Sequence, residues 1–320
     1  MLAIKKQMYF EGKIYSSVGN RILVNKIDEK KKNTYLKIKE LSILNYSQLY
    51  NRLFRHGIHS FYKIDESTDC IVIKRKILFY RDGKLFNTVD IENGSRPLRQ
   101  GIVYNSDHII YSEYYGNKER DPIHVFKYDF IRNKKEILYT FTDIRHIHFI
   151  QRSEREPNVL LIGTGDLDHE CGIFKFNLKT RIMEKVGGGS QLWRAVSVLE
   201  NGNDLIWGTD DPYNQNYIVS LNLANGKLKK LKKIAGPAYY STTTLNGEMY
   251  LATTVEDRKK HKAIIYYSKD GYSWINNEVF HKDILHTKFF GYGLIEFIHN
   301  QQEASDFFHN LTGLSVNKKR

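Results

Sequence analysis

Short apolar segments return along the chain at a nearly constant spacing. The first segments of four repeats lie 45, 47 and 46 residues apart, near Gly101, His146, Trp193 and Tyr239. A repeat of this length, built from short β-type segments, is typical of β-propellers. We therefore predict one propeller blade per repeat.

Three further segments follow in each repeat, and they align with one another. Every second segment reaches a small residue at the same point, and these residues are Ser112, Gly163, Gly208 and Ala252. The third segments alternate apolar and polar residues, as half-buried strands do. The pattern predicts four antiparallel strands per blade.

Two more blades complete the prediction. A fifth repeat runs from about His59 to Ile91 and carries Asp82-Gly83, a strong hairpin signal. For the sixth blade, we expect the C-terminal run from Tyr292 to pair with the N-terminal segments RILVNKI and TYLKIKE. Pairing the two ends of the chain would remove open sheet edges.

The predicted fold class is all-β, a single β-propeller of about six four-stranded blades. It is one domain over residues 1–320, with clear repeats over 59–299 and a short helical insert at about 41–55. The tail after Gln302 is also predicted to be helical. No linker-like stretch interrupts the repeats, which favours one domain.

Composition supports this prediction and adds a preference for anionic partners. The 22 Tyr and 17 Phe favour strands. The net charge of +13 favours acidic carbohydrate, acidic lipid or nucleic acid as partners, although a lysine-rich solvated surface is the simpler explanation. Nucleic acid is not expected, because no basic-aromatic repeat accompanies the charge.

The compartment is predicted from absences in the sequence. Two cysteines are too few for a disulfide framework. The N-terminal residues lack the apolar core of a signal peptide, and no apolar run is long enough to span a membrane. We expect a cytoplasmic protein without a membrane span. No dinucleotide, P-loop or zinc-finger motif is present, so no cofactor is predicted.

One segment resembles a known family motif. Residues Ser268 to Trp274 read S-K-D-G-Y-S-W, which is similar to a one-residue-short Asp-box of sialidase-like (BNR repeat) propellers. In that family the motif is structural and lies between the third and fourth strands of a blade. The resemblance implies the propeller fold and an acidic-sugar substrate class. The spacings of the catalytic residues of true sialidases do not match, so those residues are not transferred.

Unusual residues collect in the loops that precede first strands and follow second strands. Antiparallel pairing places these loops on the same face of a blade, where sites are usually carried. The candidate residues for binding a substrate are Arg99, Trp193, Arg194, Asp210, Tyr239 and Tyr240. The candidates for proton transfer are His148, Asp168 and Glu170.

Each candidate also has a structural interpretation. The arginines suit a carboxylate or phosphate, but they could instead pair with nearby aspartates. The aromatic residues could stack on sugar rings or only pack between blades, and Asp210 could bind hydroxyls or shape a turn. Cys171 is interpreted as a small buried thiol.

The histidines and acidic residues leave a similar choice. His146 and His148 lie two apart on a strand and therefore point the same way. They could transfer protons, bind a metal with Asp166, Asp168 or Glu170, or be hydrogen-bonded structural residues. The acidic run could supply a general acid or base, or cap its own turn. We assign no metal to the site.

The sequence therefore favours a carbohydrate-active propeller that acts on an acidic sugar or glycan by hydrolysis or elimination. Glu170 would be the base and His148 the acid, and Arg194 would bind the anionic group. The activity would be that of a sialidase-like glycoside hydrolase or a polysaccharide lyase. The alternative is a non-catalytic propeller that binds a glycan or a protein on the same face.

Overall fold

The described strands form six antiparallel blades, five of four strands and one with a fifth strand added, beside one two-stranded sheet, which confirms the predicted class of six-bladed β-propeller. The computed structural model describes residues 7–27, 29, 31–256, 261–300, 303 and 308–316. Few helices accompany the strands. No helix in the described part of the chain is long and apolar enough to cross a membrane.

Two compact units make up the chain. The first unit comprises Met1–Asp90, Thr242–Lys269 and Asn276–Arg320, and the second comprises Ile91–Ser241 and Asp270–Ile275. The prediction of one domain over residues 1–320 stays a prediction.

The first unit begins with two blades. The N-terminal blade contains β1 (Gln7–Phe10), β2 (Lys13–Val18), β3 (Arg21–Lys26) and β4 (Asn33–Lys37). The next contains β5 (Ser60–Lys63), β6 (Thr68–Ile73), β7 (Lys76–Arg81) and β8 (Lys84–Asp90). The second of these blades is the predicted fifth repeat, and Asp82 and Gly83 adopt positive φ at its hairpin, as predicted.

A short helical segment joins these blades, as the sequence predicts for residues 41–55. A 3₁₀ turn, Ile43–Tyr46, precedes helix α1 (Gln48–Phe54). The Ser47 side chain caps α1 by accepting a hydrogen bond from the Tyr50 amide at 3.2 Å.

The second unit contains three consecutive blades. The first has β9 (Ile102–Tyr104), β10 (His108–Tyr111), β11 (Ile123–Asp129) and β12 (Lys134–Phe141). The second has β13 (His146–Arg152), β14 (Val159–Gly165), β15 (Gly172–Asn177) and β16 (Met183–Gly188). The third has β17 (Leu199–Asn201), β18 (Asp204–Gly208), β19 (Asn216–Asn222) and β20 (Leu228–Ile234). All three match predicted repeats.

The last blade contains β21 (Ala238–Thr243), β22 (Met249–Thr253), β23 (Lys262–Ser268) and β24 (Ile275–Lys282). A short helix α2 (Thr287–Phe290) follows, and then β25 (Leu294–Phe297), β26 (His309–Thr312) and β27 (Leu314–Val316). β27 adds a fifth strand by pairing with β24. Between β23 and β24, the Asp270 carboxylate accepts the amides of Tyr272 and Ser273.

The chain ends differ from the prediction in two ways. All four strands of the N-terminal blade come from the N-terminal segment of the chain. The run from Tyr292 contains β25, which pairs with β26 and not with the N-terminal strands. An isolated parallel bridge between Met8 and His299 joins this C-terminal hairpin to β1. In the described part of the tail, β26 and β27 are extended strands rather than a helix, and Gly313 at φ +65° forms the turn between them. The rest of the predicted tail helix lies outside the described residues.

Small residues in the second unit make room for large aromatic ones. A Cβ added to Gly163 would lie 2.0 Å from the ring of Phe149, and one added to Gly187 would lie 2.1 Å from the ring of Trp193. Both glycines are therefore packing requirements of their blade. Phe149 belongs to a core cluster that also contains Leu161, Trp207 and Val219.

Candidate functional site

The candidate site begins where β13 starts and β14 ends. His146 is opposite Gly165 in the register of these two strands, so Arg145 and Asp166 lie just beyond that pair at the ends of adjacent strands. Arg145 Nη1 donates to Asp166 Oδ2 at 2.9 Å. The strand register thus places a guanidinium and a carboxylate together at this edge of the blade.

A β-bulge directs two histidines onto the same carboxylate. The register of β13 shifts between Ile147 and Phe149, which leaves His148 as the extra residue. His146 Nε2 lies 3.4 Å and His148 Nε2 lies 3.3 Å from Asp166 Oδ1. Both side chains are buried, at 6% and 3% exposure.

Gly165 provides the clearance for this arrangement. A Cβ at that position would lie 3.0 Å from His148 Cε1 and 3.4 Å from Arg194 Cγ. Two functional side chains therefore pass directly over the glycine backbone.

Arg194 reaches the cluster from the next blade of the same unit. It follows a 3₁₀ turn, Gln191–Trp193, and its side chain is only 15% exposed. Nη2 lies 3.0 Å from Asp166 Oδ1, and Nε donates to Asp210 Oδ2 at 3.1 Å. The predicted alternative for Arg194, pairing with neighbouring aspartates, is what the structure contains.

The electrostatics of the cluster fix its protonation at neutral pH. Burial opposes ionisation of Asp166, but hydrogen bonds from His146 and His148, together with the charge of Arg194, hold its pKa well below the usual range. Burial lowers the pKa of His148 to about 4, despite its hydrogen bond to Asp166. Asp166 is therefore ionised and His148 neutral at pH 7.

Glu170 holds the turn that follows Asp166. Its carboxylate accepts the amides of Asp166 at 3.0 Å and Leu167 at 3.2 Å, and it receives Arg120 Nε at 2.6 Å. Its side chain has no exposed surface. Burial would raise the pKa of Glu170, yet Arg120 and the two amides lower it overall. The contacts of Glu170 are those of a turn-capping residue.

A polar cleft of about 410 Å³ adjoins the cluster. It is lined by Asp168, Ser190, Gln191, Leu192, Thr209, Asp211, Asn214, Gln215, Tyr217 and Lys230. Gln191 Nε2 donates to the Asp166 carbonyl and to Asp168 Oδ1, both at 2.9 Å. This one amide connects the cleft to the Asp166 cluster.

The remaining predicted binding residues lie at other points of the same unit. Arg99 is half-buried in the 3₁₀ turn Arg99–Gly101, which packs against β13. Trp193 packs on Trp207, with ring centroids 5.5 Å apart. Tyr239 and Tyr240 are half-buried on β21, with centroids 6.2 Å apart. The structure thus brings together His148, Arg194 and Asp210 around Asp166.

Sequence reasoning did not single out three residues of this arrangement. The sequence names Asp166 only as one of three possible metal ligands or as part of an acidic turn, and it gives no role to Arg145 or Gln191. The available signal was positional, since Arg145 precedes the His146–His148 strand and Asp166 follows the strand that pairs with it. Gln191 carried no signal of its own.

Among the described residues, His146, His148 and Asp166 form a group able to hold a metal ion. Their ligand atoms all lie within 4.8 Å of one another. Two imidazoles and a carboxylate are a common ligand set for first-row transition metals.

Comparison with known proteins shows similarity at the level of the fold. No protein-family model matches the chain, and no curated protein matches its sequence significantly. A GH74 xyloglucanase structure from Xanthomonas campestris is similar over 97% of this chain, with a TM-score of 0.60 and 9% identity. The chain spans 51% of that enzyme's length.

A second similar structure comes from the mitotic checkpoint complex. The similarity covers 86% of this chain and 78% of the matched chain, with a TM-score of 0.53 and 11% identity. Identities this low show the propeller fold alone, and function must be argued from the site.

Proposed function

We propose that the chain is a carbohydrate-active propeller that takes an acidic sugar or glycan into the polar cleft. The observation that carries the proposal is the lining of the cleft, which combines hydrogen-bonding side chains and two carboxylates with one cation, Lys230, and one half-buried aromatic ring, Tyr217. Sugar hydroxyls pair with such side chains, and an ammonium group attracts a carboxylate or sulfate.

Lys230 is the cation available to an anionic sugar group. Its Nζ lies 4.4 Å from the centre of the Tyr217 ring, and the residue is exposed. Arg194, by contrast, is mostly buried and shared by two carboxylates. The proposal therefore assigns the anionic group to Lys230 and gives Arg194 the role of positioning Asp166 and Asp210.

Asp168 is the carboxylate that can act on a bound sugar. It is exposed and lines the cleft, whereas Glu170 is enclosed by its turn. Hydrolysis or elimination would use Asp168 for proton transfer. The resemblance of residues Ser268 to Trp274 to a sialidase-like motif agrees with an acidic-sugar substrate and belongs to this proposal.

One observation favours the alternative of a non-catalytic glycan-binding propeller. Glycoside hydrolysis commonly uses two carboxyl groups. The other carboxylate of the cleft, Asp211, already accepts the amides of Tyr213 and Asn214 and the Asn214 side chain.

Turnover separates the two alternatives. Purified protein is incubated with acidic oligosaccharides while binding is followed by calorimetry and product by mass spectrometry. An enzyme releases product, and Asp168→Asn abolishes release while leaving affinity within about threefold. Binding without product in the wild type supports the binding propeller, and absence of both contradicts the proposed function.

A further inference from the structure

Asp166 Oδ1 is crowded, and its two hydrogen bonds from imidazole nitrogens are long. Three donors face this one oxygen, namely His146 Nε2 at 3.4 Å, His148 Nε2 at 3.3 Å and Arg194 Nη2 at 3.0 Å. Hydrogen bonds from nitrogen to oxygen usually measure about 2.7–3.2 Å. Both imidazole contacts exceed that range although the side chains are buried and tightly packed.

The same distances fit the edges of a coordination polyhedron. Zinc binds imidazole nitrogen and carboxylate oxygen at about 2.0–2.2 Å, so two tetrahedral ligands lie roughly 3.3–3.6 Å apart. The two nitrogen-to-oxygen separations, 3.3 and 3.4 Å, match this spacing. All three ligand atoms lie within 4.8 Å of one another, as ligands of one ion require.

The surrounding structure holds the three groups in place. The bulge at His148 turns both rings to one side of β13, and Gly165 leaves room for the second ring. The ring of Tyr114 packs on His146 with centroids 4.4 Å apart. Arg145 holds the other carboxylate oxygen, Asp166 Oδ2, at 2.9 Å. In metal sites, neighbouring groups of this kind orient the side chains that bind the metal directly.

We propose that His146, His148 and Asp166 bind one divalent first-row transition-metal ion, with Zn²⁺ as the best-fitting member of the class. Nε2 of each histidine and Oδ1 of Asp166 are the three ligand atoms. A tetrahedral ion then keeps one position for water, the arrangement of catalytic rather than structural zinc sites. This goes beyond the proposed sugar cleft, because metal binding needs no sugar.

The groups around the three ligands limit the expected affinity for the metal. Nδ1 of His146 and Nδ1 of His148 have no hydrogen-bond partner among the described residues. Metal-binding histidines usually donate that N–H to an acceptor, which raises their basicity. Two guanidinium groups near Asp166 also oppose a cation. We therefore expect reversible binding that a chelator removes without unfolding the protein.

The test uses the full chain after dialysis against EDTA, followed by equilibrium dialysis with Zn²⁺ alone. The wild type is expected to bind one equivalent. His146→Gln and His148→Gln should each weaken binding at least 100-fold. His169→Gln is the matched control, because that side chain is 72% exposed and lies beside the same turn, and its affinity should stay within about twofold.

A second measurement covers the case in which the variants do not fold. Co²⁺ added to the wild type should give the intense visible bands of a tetrahedral nitrogen–oxygen site. Less than half an equivalent of Zn²⁺ on the wild type, only the weak spectrum of hydrated Co²⁺, or unchanged affinity in folded His148→Gln would overturn the proposal. Sugar binding by the EDTA-treated protein is measured separately, so failure of either proposal is distinguishable from failure of the other.

Discussion

Arg194 and Asp166 form an ion pair in which Nη2 and Oδ1 are 3.0 Å apart, and the same guanidinium binds Asp210 through Nε. The side chains of Arg194 and Asp166 are 15% and 12% exposed. One arginine therefore connects the loop after β14 with the loop after β18.

Arg194→Ala should destabilise the second unit by about 3–5 kcal/mol, because it leaves two buried carboxylates without their shared cation. Arg194→Lys should recover only part of the loss, since an ammonium cannot bridge both carboxylates as a planar fork does. Denaturant unfolding measures both variants. A change below about 1 kcal/mol for Arg194→Ala would show that the bridge is not stabilising.

Gly165→Ala should cost about 1–3 kcal/mol, the usual penalty for overpacking. The new methyl group would lie 3.0 Å from His148 Cε1 and would push that ring away from Asp166. Gly116→Ala is the control, because a Cβ there meets nothing within 4 Å. Equal unfolding free energies for the two variants would contradict the close packing at Gly165.

A second buried pair is found in the first unit, where Lys63 Nζ lies 3.2 Å from Asp69 Oδ1 and both side chains are at most 2% exposed. Tyr35 donates to the other oxygen of Asp69 at 2.9 Å. Lys63→Met and Asp69→Asn should each cost about 3–5 kcal/mol, because each leaves a buried charge without its opposite charge.

The double variant Lys63→Met/Asp69→Asn should lose less than the two single losses combined. Additive losses in denaturant unfolding would mean that the two groups do not interact.

The pair between Arg52 and Asp283 should give a pH-dependent contribution to stability. Arg52 Nη1 donates to Asp283 Oδ2 at 2.6 Å and ties α1 to the segment before α2. Burial raises the pKa of Asp283, but Arg52 and Lys282 outweigh it and lower the pKa overall. Because the folded-state pKa lies below the unfolded value, this stabilisation is present above about pH 4 and is lost as pH falls further.

Asp283→Asn should therefore lower Tm at pH 7 by an amount worth about 1 kcal/mol, a modest figure because solvent screens this partly exposed pair. The difference from the wild type should shrink progressively as the pH falls below about 4. Asp90→Asn is the control, because the Asp90 side chain is 78% exposed and its Oδ1 lies as far as 3.9 Å from Lys76 Nζ. No change in Tm is expected for this variant at either pH. A Tm difference that persists unchanged at pH 3 would contradict the assignment.

The blade repeats were predictable from sequence because each strand shows its own apolar alternation and each blade repeats the pattern. Pairing at the chain ends was not, because nothing in the Tyr292 run indicates whether its partner is an N-terminal strand, as predicted, or β26, as found. For the site, position within the repeat grouped His148, Arg194 and Asp210 on one face, near which the structure also places Asp166. Position within the repeat did not assign the central role to Asp166. In sequence, an aspartate that follows a strand and caps a turn cannot be distinguished from one that four side chains contact.

The role of Glu170 shows a further limit of sequence reasoning. A carboxylate in an acidic loop resembles a catalytic base, but its hydrogen bonds to the amides of Asp166 and Leu167 depend on the local turn geometry. The polar cleft is equally invisible in sequence, because its lining comes from segments as far apart as Asp168 and Lys230.

The central claim is that the polar cleft binds an acidic sugar, and calorimetric titration with an acidic oligosaccharide and its neutral counterpart tests it most directly. The wild type should bind the acidic form at least tenfold more tightly. Lys230→Ala should remove that preference, whereas Lys229→Ala, which changes the neighbouring exposed lysine of β20 outside the cleft, should keep it. Equal affinity for both oligosaccharides in the wild type, or an unchanged preference in Lys230→Ala, would contradict the account.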